Sequence, residues 1–320
     1  MIILRIAKAG REAVKPSLST IGFLFSVMIP VSLGVLLIEK SGILLWIARF
    51  TAPLMGFLGL PGEAALVFLS AGFIGIYSAI AVIETLNLSV RDIIILATLC
   101  LIAHNFFVEC VVLKKAGSSA LKMVIVRFFC GIAAAWVLNR ILPVVPLAQA
   151  AALPQPGAIG LDLGELPSIL LTWLAGIALL LAKIAIIIFG ILFMQKLLDE
   201  FGLIKILGKL SAPFMRILGL SPNAGYVWII GNVIGLVYGS AVLIEETRSG
   251  ILSSVEADLF NHHVAISHSQ VEDSLLFAAL GVPLLWVALP RLVVAVILVW
   301  FERLRRLMFR RSFSVKVETG

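Results

Sequence analysis

The chain has 320 residues, of which 61% are hydrophobic and 13% charged, and its mean hydropathy is +1.12. A soluble domain is about half apolar and about a quarter charged, so the composition excludes an ordinary soluble domain and indicates an integral membrane protein. The net charge of +7 does not indicate nucleic-acid binding, because the basic residues gather at the edges of apolar segments.

Apolar segments predict the membrane-associated helices. They cover residues 17–38, 41–59, 62–84, 92–113, 119–142, 168–195, 203–220, 222–244, 256–279 and 282–302. Several reach the ~20 residues that a spanning helix needs. The short segments 41–59 and 203–220 contain Pro53 and Pro213, which leaves spanning, interfacial and re-entrant placements open for both. The predicted fold class is all-α, a polytopic transmembrane helical bundle of about ten membrane segments.

The sequence contains an internal repeat. Residues 51–60 (TAPLMGFLGL) return 160 positions later as residues 211–220 (SAPFMRILGL), and beyond a short insertion the offset becomes 164. Matched pairs outside this motif include Gly75/Gly235, His104/His268 and Arg127/Arg291. A repeat of this length in a membrane sequence is typical of a transport scaffold with its site near the repeat interface.

The placement of charge predicts the topology. Basic residues precede the first apolar run and follow the last, so both termini are predicted to be cytoplasmic. The linker 143–167 has no Lys or Arg and is predicted to be external, so each half must cross the membrane an odd number of times and the repeats are inverted. The predicted domains are a first repeat (1–142), this linker, a second repeat (168–302) and a basic cytoplasmic tail (303–320). The predicted location is the inner (plasma) membrane, with multiple crossings.

Polar residues inside the apolar segments are the site candidates. An ionisable group in lipid costs several kcal/mol, so such groups usually line a cavity or pair with one another. The substrate-binding candidates are His104, Asn105, Glu109, Asn232, Tyr238, His268, Gln270, Glu272 and Asp273. Imidazole and carboxylate together suit a transition-metal ion or a proton relay, and the metal candidates are His104, His268, Glu272 and Asp273.

Helical geometry groups some of these residues. On a continuous helix, Asp258, His262, Ser269, Glu272 and Asp273 occupy about a third of the circumference. On the partner helix 92–113, Glu109 lies about 140° from His104, so those two need not share a face.

Three alternatives stay open at this point. The end of segment 256–279 that carries His262 and His263 either lines the interior or lies in the aqueous interface. Arg127 and Arg291 are either counter-ions to the carboxylates or extend to an interface. The Gly-rich stretches 70–79 and 231–240 allow close helix packing or unwinding at a substrate site.

The motif Pro-Leu/Phe-Met-x-x-Leu-Gly-Leu, followed by a Gly/Ala-rich helix, resembles the nucleoside-recognition or Gate domain. That domain is shared by ferrous-iron transporter B proteins, concentrative nucleoside transporters and spore maturation proteins. Two fused copies cover about 17–142 and 168–302. The resemblance implies transport through paired gates. The GTPase domain of the iron transporters is missing from this sequence, so a nucleotide-driven mechanism is not implied.

The leading hypothesis is a transporter or channel for a small polar or charged solute, with a divalent metal cation slightly favoured. The alternatives are a carrier of nucleosides or related metabolites and a non-transporting membrane scaffold. No enzyme motif is present, so no enzymatic activity and no cofactor are predicted beyond a bound metal or coupling ion. The predicted partners are the lipid bilayer and the solute, without nucleic acid, and a homo-oligomer is one possible assembly.

Overall fold

The computed structural model of the protein describes residues 2–143 and 164–317. Across these ranges the chain forms fourteen α-helices and no β-strand, which confirms the all-α fold class. The helices are α1 (Ile2–Lys40), α2 (Ile43–Phe57), α3 (Ala64–Phe73), α4 (Ile76–Thr85), α5 (Val90–Ile102), α6 (Phe106–Lys115), α7 (Ala120–Ile141), α8 (Leu166–Glu200), α9 (Leu203–Ile217), α10 (Gly225–Val233), α11 (Leu236–Arg248), α12 (Ser254–Ile266), α13 (Gln270–Ala278) and α14 (Leu284–Val317). Most of the predicted linker 143–167 lies outside the described residues.

Five stretches of the described chain are long and apolar enough to cross a membrane. They are Ile2–Lys40, Val90–Lys115, Ala120–Ile141, Leu166–Glu200 and Leu284–Phe309. The protein is therefore a multi-pass integral membrane protein. The other predicted segments form helices of 15 residues or fewer, such as α2 and α9, so the number of about ten membrane segments stays a prediction.

The chain divides into two compact units that do not coincide with its two sequence halves. Unit 1 contains Met1–Phe106, Phe128–Leu197 and Val271–Ala288, and unit 2 contains Phe107–Arg127, Leu198–Gln270 and Leu289–Gly320. Unit 2 thus includes segment 107–127 of the first half, and unit 1 includes residues 168–197 and 271–288 of the second half. At the repeat offset of 164, residues 107–124 of the first-half segment correspond to residues 271–288.

In unit 1 the core forms around α5, in which every residue from Ile93 to Ile102 is buried. Small residues on α3 and α4, including the fully buried Ala79 and Ala81, allow these helices to pack closely in the same core. Arg91 ties neighbouring segments together, because its guanidinium donates to the carbonyl of Gly59 at 3.2 Å and to that of Asn139 at 3.1 Å.

In unit 2, α9 and α10 approach closely because glycine lies at their contact. A Cβ atom on Gly225 would lie 2.4 Å from the carbonyl oxygen of Gly208, so no larger residue fits there without a shift of the backbone. The long helix α14 is anchored in the same unit, since Trp300 Nε1 donates to the carbonyl of Ile217 at 3.0 Å.

Both Gly-rich segments are interrupted. The predicted segment 62–84 forms α3 and α4 with a break at Gly75, and the segment 222–244 forms α10 and α11 with a break at Gly235. Gly75 has φ 140° and ψ 177°, and Gly235 has φ 117° and ψ 168°. This region of backbone space is essentially restricted to glycine. The chain is therefore unwound at these two positions, and a substrate site there stays a prediction. Close packing applies as well, because a Cβ atom on Gly239 would lie 2.8 Å from Gly231 Cα.

The segments 92–113 and 256–279 are also interrupted, so the prediction of one continuous helix for each is wrong. The chain leaves helical geometry between α5 and α6 and again between α12 and α13, where Asn105 (φ 45°) and Ser269 (φ 48°) are left-handed. The shared face predicted for Asp258, His262, Ser269, Glu272 and Asp273 does not exist, because the helix stops at Ile266. The 140° offset between His104 and Glu109 fails for the same reason.

Candidate functional site

The two matched histidines lie in the helix breaks rather than on helices. In unit 1, His104 follows α5, and in unit 2, His268 follows α12. Next to each histidine a backbone N–H bonds to a carbonyl of the helix that ends at the glycine break. Asn105 donates to Ala71 at 2.9 Å, and Ser269 donates to Gly231 at 3.1 Å. Backbone groups freed by the breaks are thus satisfied inside the protein, as a membrane interior requires.

The hydrogen bonds of the imidazoles determine their tautomers. His104 Nδ1 lies 3.1 Å from the carbonyl oxygens of both Cys100 and Leu101, and His268 Nδ1 lies 2.7 Å from that of Val264. A carbonyl oxygen only accepts, so Nδ1 carries the hydrogen in both rings. In the neutral ring, Nε2 is then the nitrogen without a hydrogen, which is the atom that can bind a proton or a cation.

Unit 2 contains a buried charged cluster. Arg127 is 0% exposed, and its guanidinium lies 2.6 Å from the carboxylate of Glu109, which is 8% exposed. The second carboxylate oxygen of Glu109 lies 3.4 Å from His268 Nε2. For Arg127, the structure supports the counter-ion alternative over extension to an interface.

The contact between His268 and Glu109 restricts the charge state of the cluster. With a hydrogen on Nδ1, a neutral imidazole directs its Nε2 lone pair at Glu109, which is repulsive when the carboxylate is ionised and no charge lies between the two groups. The contact is favourable when a proton is shared between nitrogen and oxygen or when a cation lies between them. The predicted residues His268 and Glu109 thus form a pair suited to a positive charge.

Arg291, the repeat equivalent of Arg127, stabilises the break in unit 2. It is 0% exposed and donates to the carbonyl oxygen of His268. This bond satisfies a backbone acceptor that the interruption between α12 and α13 removes from the helical ladder. Arg291 therefore helps to hold His268 in place.

Unit 1 contains a second group of polar side chains. Tyr77, on α4 just after Gly75, donates its hydroxyl hydrogen to the carboxylate of Glu272 on α13. Asp273, the next residue, is 4% exposed. Tyr77 was missing from the predicted site residues. A tyrosine beside a glycine within an apolar segment was the available signal.

The remaining candidates differ in burial. Asn232 is 4% exposed and its amide nitrogen donates to the carbonyl of Trp228 at 2.9 Å. Gln270 donates to Ser267 Oγ at 2.5 Å. The amide oxygens of both side chains are buried and have no hydrogen-bond partner among the described residues. Tyr238 differs, since it is 65% exposed.

The predicted metal set is divided between the two units. His104, Glu272 and Asp273 belong to unit 1, whereas His268 belongs to unit 2. Neither unit by itself holds all four residues, so a metal site formed by this set stays a prediction.

A second cluster in unit 2 contains Asp258, His262 and Glu302, whose potential ligand atoms lie within 4.8 Å of one another. Cations already surround the carboxylates. Glu302 contacts Lys122 at 3.1 Å, Arg305 at 2.7 Å and Arg306 at 2.9 Å, and Arg306 also contacts Asp258. Three positive charges face two negative ones, so this cluster is an ion-pair network rather than a metal site.

His262 and His263 are both 0% exposed, which contradicts the alternative that places them in water at the interface. His263 Nε2 accepts a hydrogen bond from Trp228 Nε1 at 3.0 Å. His262 Nδ1 lies 2.6 Å from the carbonyl oxygen of Asp258. Both rings are parts of the packed interior of unit 2.

Comparison with known proteins finds a similar membrane protein. No family model matches the chain, and no solved structure matches it. The uncharacterized membrane protein YvoD of Bacillus subtilis (strain 168) is 30% identical over 301 residues, which cover 92% of this chain and 93% of YvoD. The chain belongs to the same membrane-protein family as YvoD.

Proposed function

We propose that the protein is a transporter or channel that moves a small polar or charged solute across the membrane, with a divalent metal cation favoured. The observation that carries this proposal is the contact between His268 Nε2 and Glu109, because it places two groups able to bind a cation side by side in a buried site next to a helix break. Interrupted helices that carry polar groups are the usual way in which membrane transporters form a substrate site.

The proposed architecture is a pair of inverted repeats with about ten membrane segments and both termini in the cytoplasm of a plasma-membrane protein. Several left-handed glycines recur at the repeat offsets and support this part of the proposal. They are Gly42/Gly202, Gly59/Gly219 and Gly117/Gly281. We also propose that the two repeats are related to Gate domains. The proposed site has no cofactor and no enzymatic activity.

The proposal is tested by uptake into proteoliposomes that contain the full-length protein. The internal solution carries a metal-sensitive dye, and Mn²⁺, Fe²⁺, Co²⁺ and Zn²⁺ are supplied outside. We expect metal uptake by the wild type and a fall of about tenfold or more for Glu109→Gln, because the neutral amide no longer balances a cation.

The matched control is Glu245→Gln, which makes the same chemical change on an exposed residue of α11. It is expected to transport like the wild type. Equal uptake by Glu109→Gln and the wild type contradicts the site assignment. Absence of uptake for every solute, with the wild type correctly folded, favours the scaffold alternative.

The second candidate solute is a nucleoside or a related metabolite. It is favoured by the buried amide oxygens of Asn232 and Gln270, which have no partner among the described residues and can accept hydrogen bonds from an uncharged polar ligand. Uptake of radiolabelled uridine and adenosine by the same proteoliposomes distinguishes the two candidates. Under this alternative, Asn232→Leu reduces nucleoside uptake and Glu109→Gln has the smaller effect.

A further inference from the structure

Unit 1 contains a cavity that is separate from the residues described above. It has a volume of about 440 Å³ and lies among α1, α4 and α8. This volume falls within the range of small-molecule sites. The residues that decide its chemistry are Ser32, Lys40, Glu84, Thr172, Trp173 and Gly176.

The charged residues of the cavity lie at helix ends. Lys40 is the last residue of α1, Glu84 lies in the last turn of α4, and Ser168 lies in the first turn of α8. The carbonyl groups at the end of α4 add partial negative charge beside Glu84. This end of the cavity therefore presents an anionic and a cationic group to the same ligand. Lys40 Nζ also lies 3.3 Å from the carboxylate of Glu39, so a ligand phosphate competes with Glu39 for this lysine.

The opposite part of the lining is largely apolar. Trp173 and Gly176 lie about two and three turns into α8, and Leu36 and Ile177 line the same region. Trp173 Nε1 donates to the buried Ser32 Oγ at 2.9 Å, and this bond holds the indole ring in place as part of the cavity lining. A Cβ atom on Gly176 would meet no heavy atom within 4 Å, so the space beside it is open.

The cavity adjoins a surface suited to acyl chains. On α8, Leu171 is 70% exposed and Leu174 is 54% exposed, and on α1, Leu37 is 47% exposed. Both helices are long and apolar enough to span the membrane. Apolar side chains exposed on spanning helices contact lipid, so a ligand in the cavity has an apolar path beside it.

We propose that this cavity binds a zwitterionic phospholipid that carries a primary ammonium group. Glu84 and the end of α4 bind the ammonium, Lys40 binds the phosphate, and an acyl chain follows the apolar wall past Trp173. The opposite charges of Lys40 and Glu84 favour a zwitterion over an anionic lipid. The exposed leucines favour a lipid over a water-soluble zwitterion. The site is independent of the proposed transport of a solute.

The test uses native mass spectrometry of the full-length protein in detergent, titrated with phosphatidylethanolamine. The wild type is expected to retain one lipid molecule. Gly176→Leu is expected to lower occupancy by about tenfold, because the new side chain fills the open space. Gly190→Leu is the matched control, since Gly190 lies on the same helix, has equally open surroundings and does not line the cavity.

The head group is tested separately with Lys40→Gln and Glu84→Gln, each of which removes one charge from the cavity and adds no bulk to it. Each is expected to weaken binding of phosphatidylethanolamine, and phosphatidylglycerol, which has no ammonium group, is expected to bind the wild type less tightly. The proposal is overturned by equal binding of the two lipids, by unchanged occupancy in both charge variants, or by displacement of the lipid by free leucine. If Gly176→Leu does not fold, the charge variants and the lipid comparison decide the question alone.

Discussion

Helices α5 and α12 agree in length, in N-terminal cap and in the break that ends them, but they differ in the polarity of their interior side chains. Each is 13 residues long and begins with a capping box, formed by Ser89 and Asp92 in α5 and by Ser253 and Glu256 in α12. Each ends at a break that contains a matched histidine. Between these ends, α5 is almost wholly apolar.

In α12 the corresponding interior carries polar groups. Asp258, Asn261, His262 and His263 stand where α5 has Ile94, Ala97, Thr98 and Leu99. The comparison shows that the caps and breaks determine where each helix begins and ends. The side chains between them differ with the residues that each helix packs against. Chemistry unique to one unit is therefore to be sought in α12 and its neighbours.

The largest expected effect comes from the buried ion pair of unit 2. Arg127→Met removes the nearest counter-ion of the buried Glu109, and the free energy of unfolding should fall by about 3–5 kcal/mol. Thermal unfolding in detergent measures the change. The double variant Arg127→Met/Glu109→Gln should recover much of the loss, and the more exposed Arg140→Met on the same helix serves as control. A small effect of Arg127→Met alone contradicts the importance of this pair.

The next effect concerns the glycine breaks, which both units share. Gly75→Ala and Gly235→Ala place a side chain in backbone geometry that only glycine adopts, so each should cost about 2 kcal/mol. Neither Cβ would clash, which isolates the backbone term. Gly34→Ala, in helix α1 with open surroundings, should leave the melting temperature unchanged or higher. Similar losses of stability at both breaks support a common backbone geometry in the two units. A loss of stability at only one break contradicts it.

A third prediction tests the polar interior of α12. His263→Leu introduces the residue that α5 has at the matched position, but it removes the acceptor of the Trp228 indole N–H. A buried unpaired donor costs about 1–3 kcal/mol, so the single variant should be less stable in urea unfolding. The double variant His263→Leu/Trp228→Phe removes both partners and should be closer to the wild type. Additive losses instead indicate that the two side chains do not act as a pair.

The smallest effect is expected at the caps. Ser89→Ala and Ser253→Ala should each destabilise the protein by about 1 kcal/mol, because each serine accepts from a backbone N–H in the first turn of its helix. Equal decreases in melting temperature would show that the two caps contribute equally to stability, as expected for matched helices. Ser119→Ala, where the hydroxyl lies in an exposed contact at the start of α7, should change the melting temperature less.

Much of the fold was predictable from the sequence, because apolar length and charge placement determine membrane helices. The break at Gly75 was signalled by its glycine-rich surroundings. The breaks at His104 and His268 were not, since they depend on hydrogen bonds from Asn105 to Ala71 and from Ser269 to Gly231 on other helices. The hydrophobic periodicity of one segment gives no information about a hydrogen bond to a neighbouring helix.

The candidate site was predictable by residue type but not by partner. Glu109 and His268 were identified because ionisable residues are rare in apolar segments, whereas their contact depends on a segment of the first half of the sequence belonging to unit 2. Tyr77 was overlooked, because its partner Glu272 lies 195 positions further along the chain.

The distribution of segments between the units, with 107–127 in unit 2 and 271–288 in unit 1, has a consequence for biosynthesis. Unit 1 contains residue 288, so it is incomplete until nearly all of the 320 residues have been synthesised. The first-half part of unit 1 is synthesised before residues 168–197 and 271–288, which complete that unit. Contacts between residues so distant in sequence form slowly and leave apolar surface uncovered in the meantime. The two halves are therefore expected to mature together, and a chain that stops before residue 271 lacks a part of each unit.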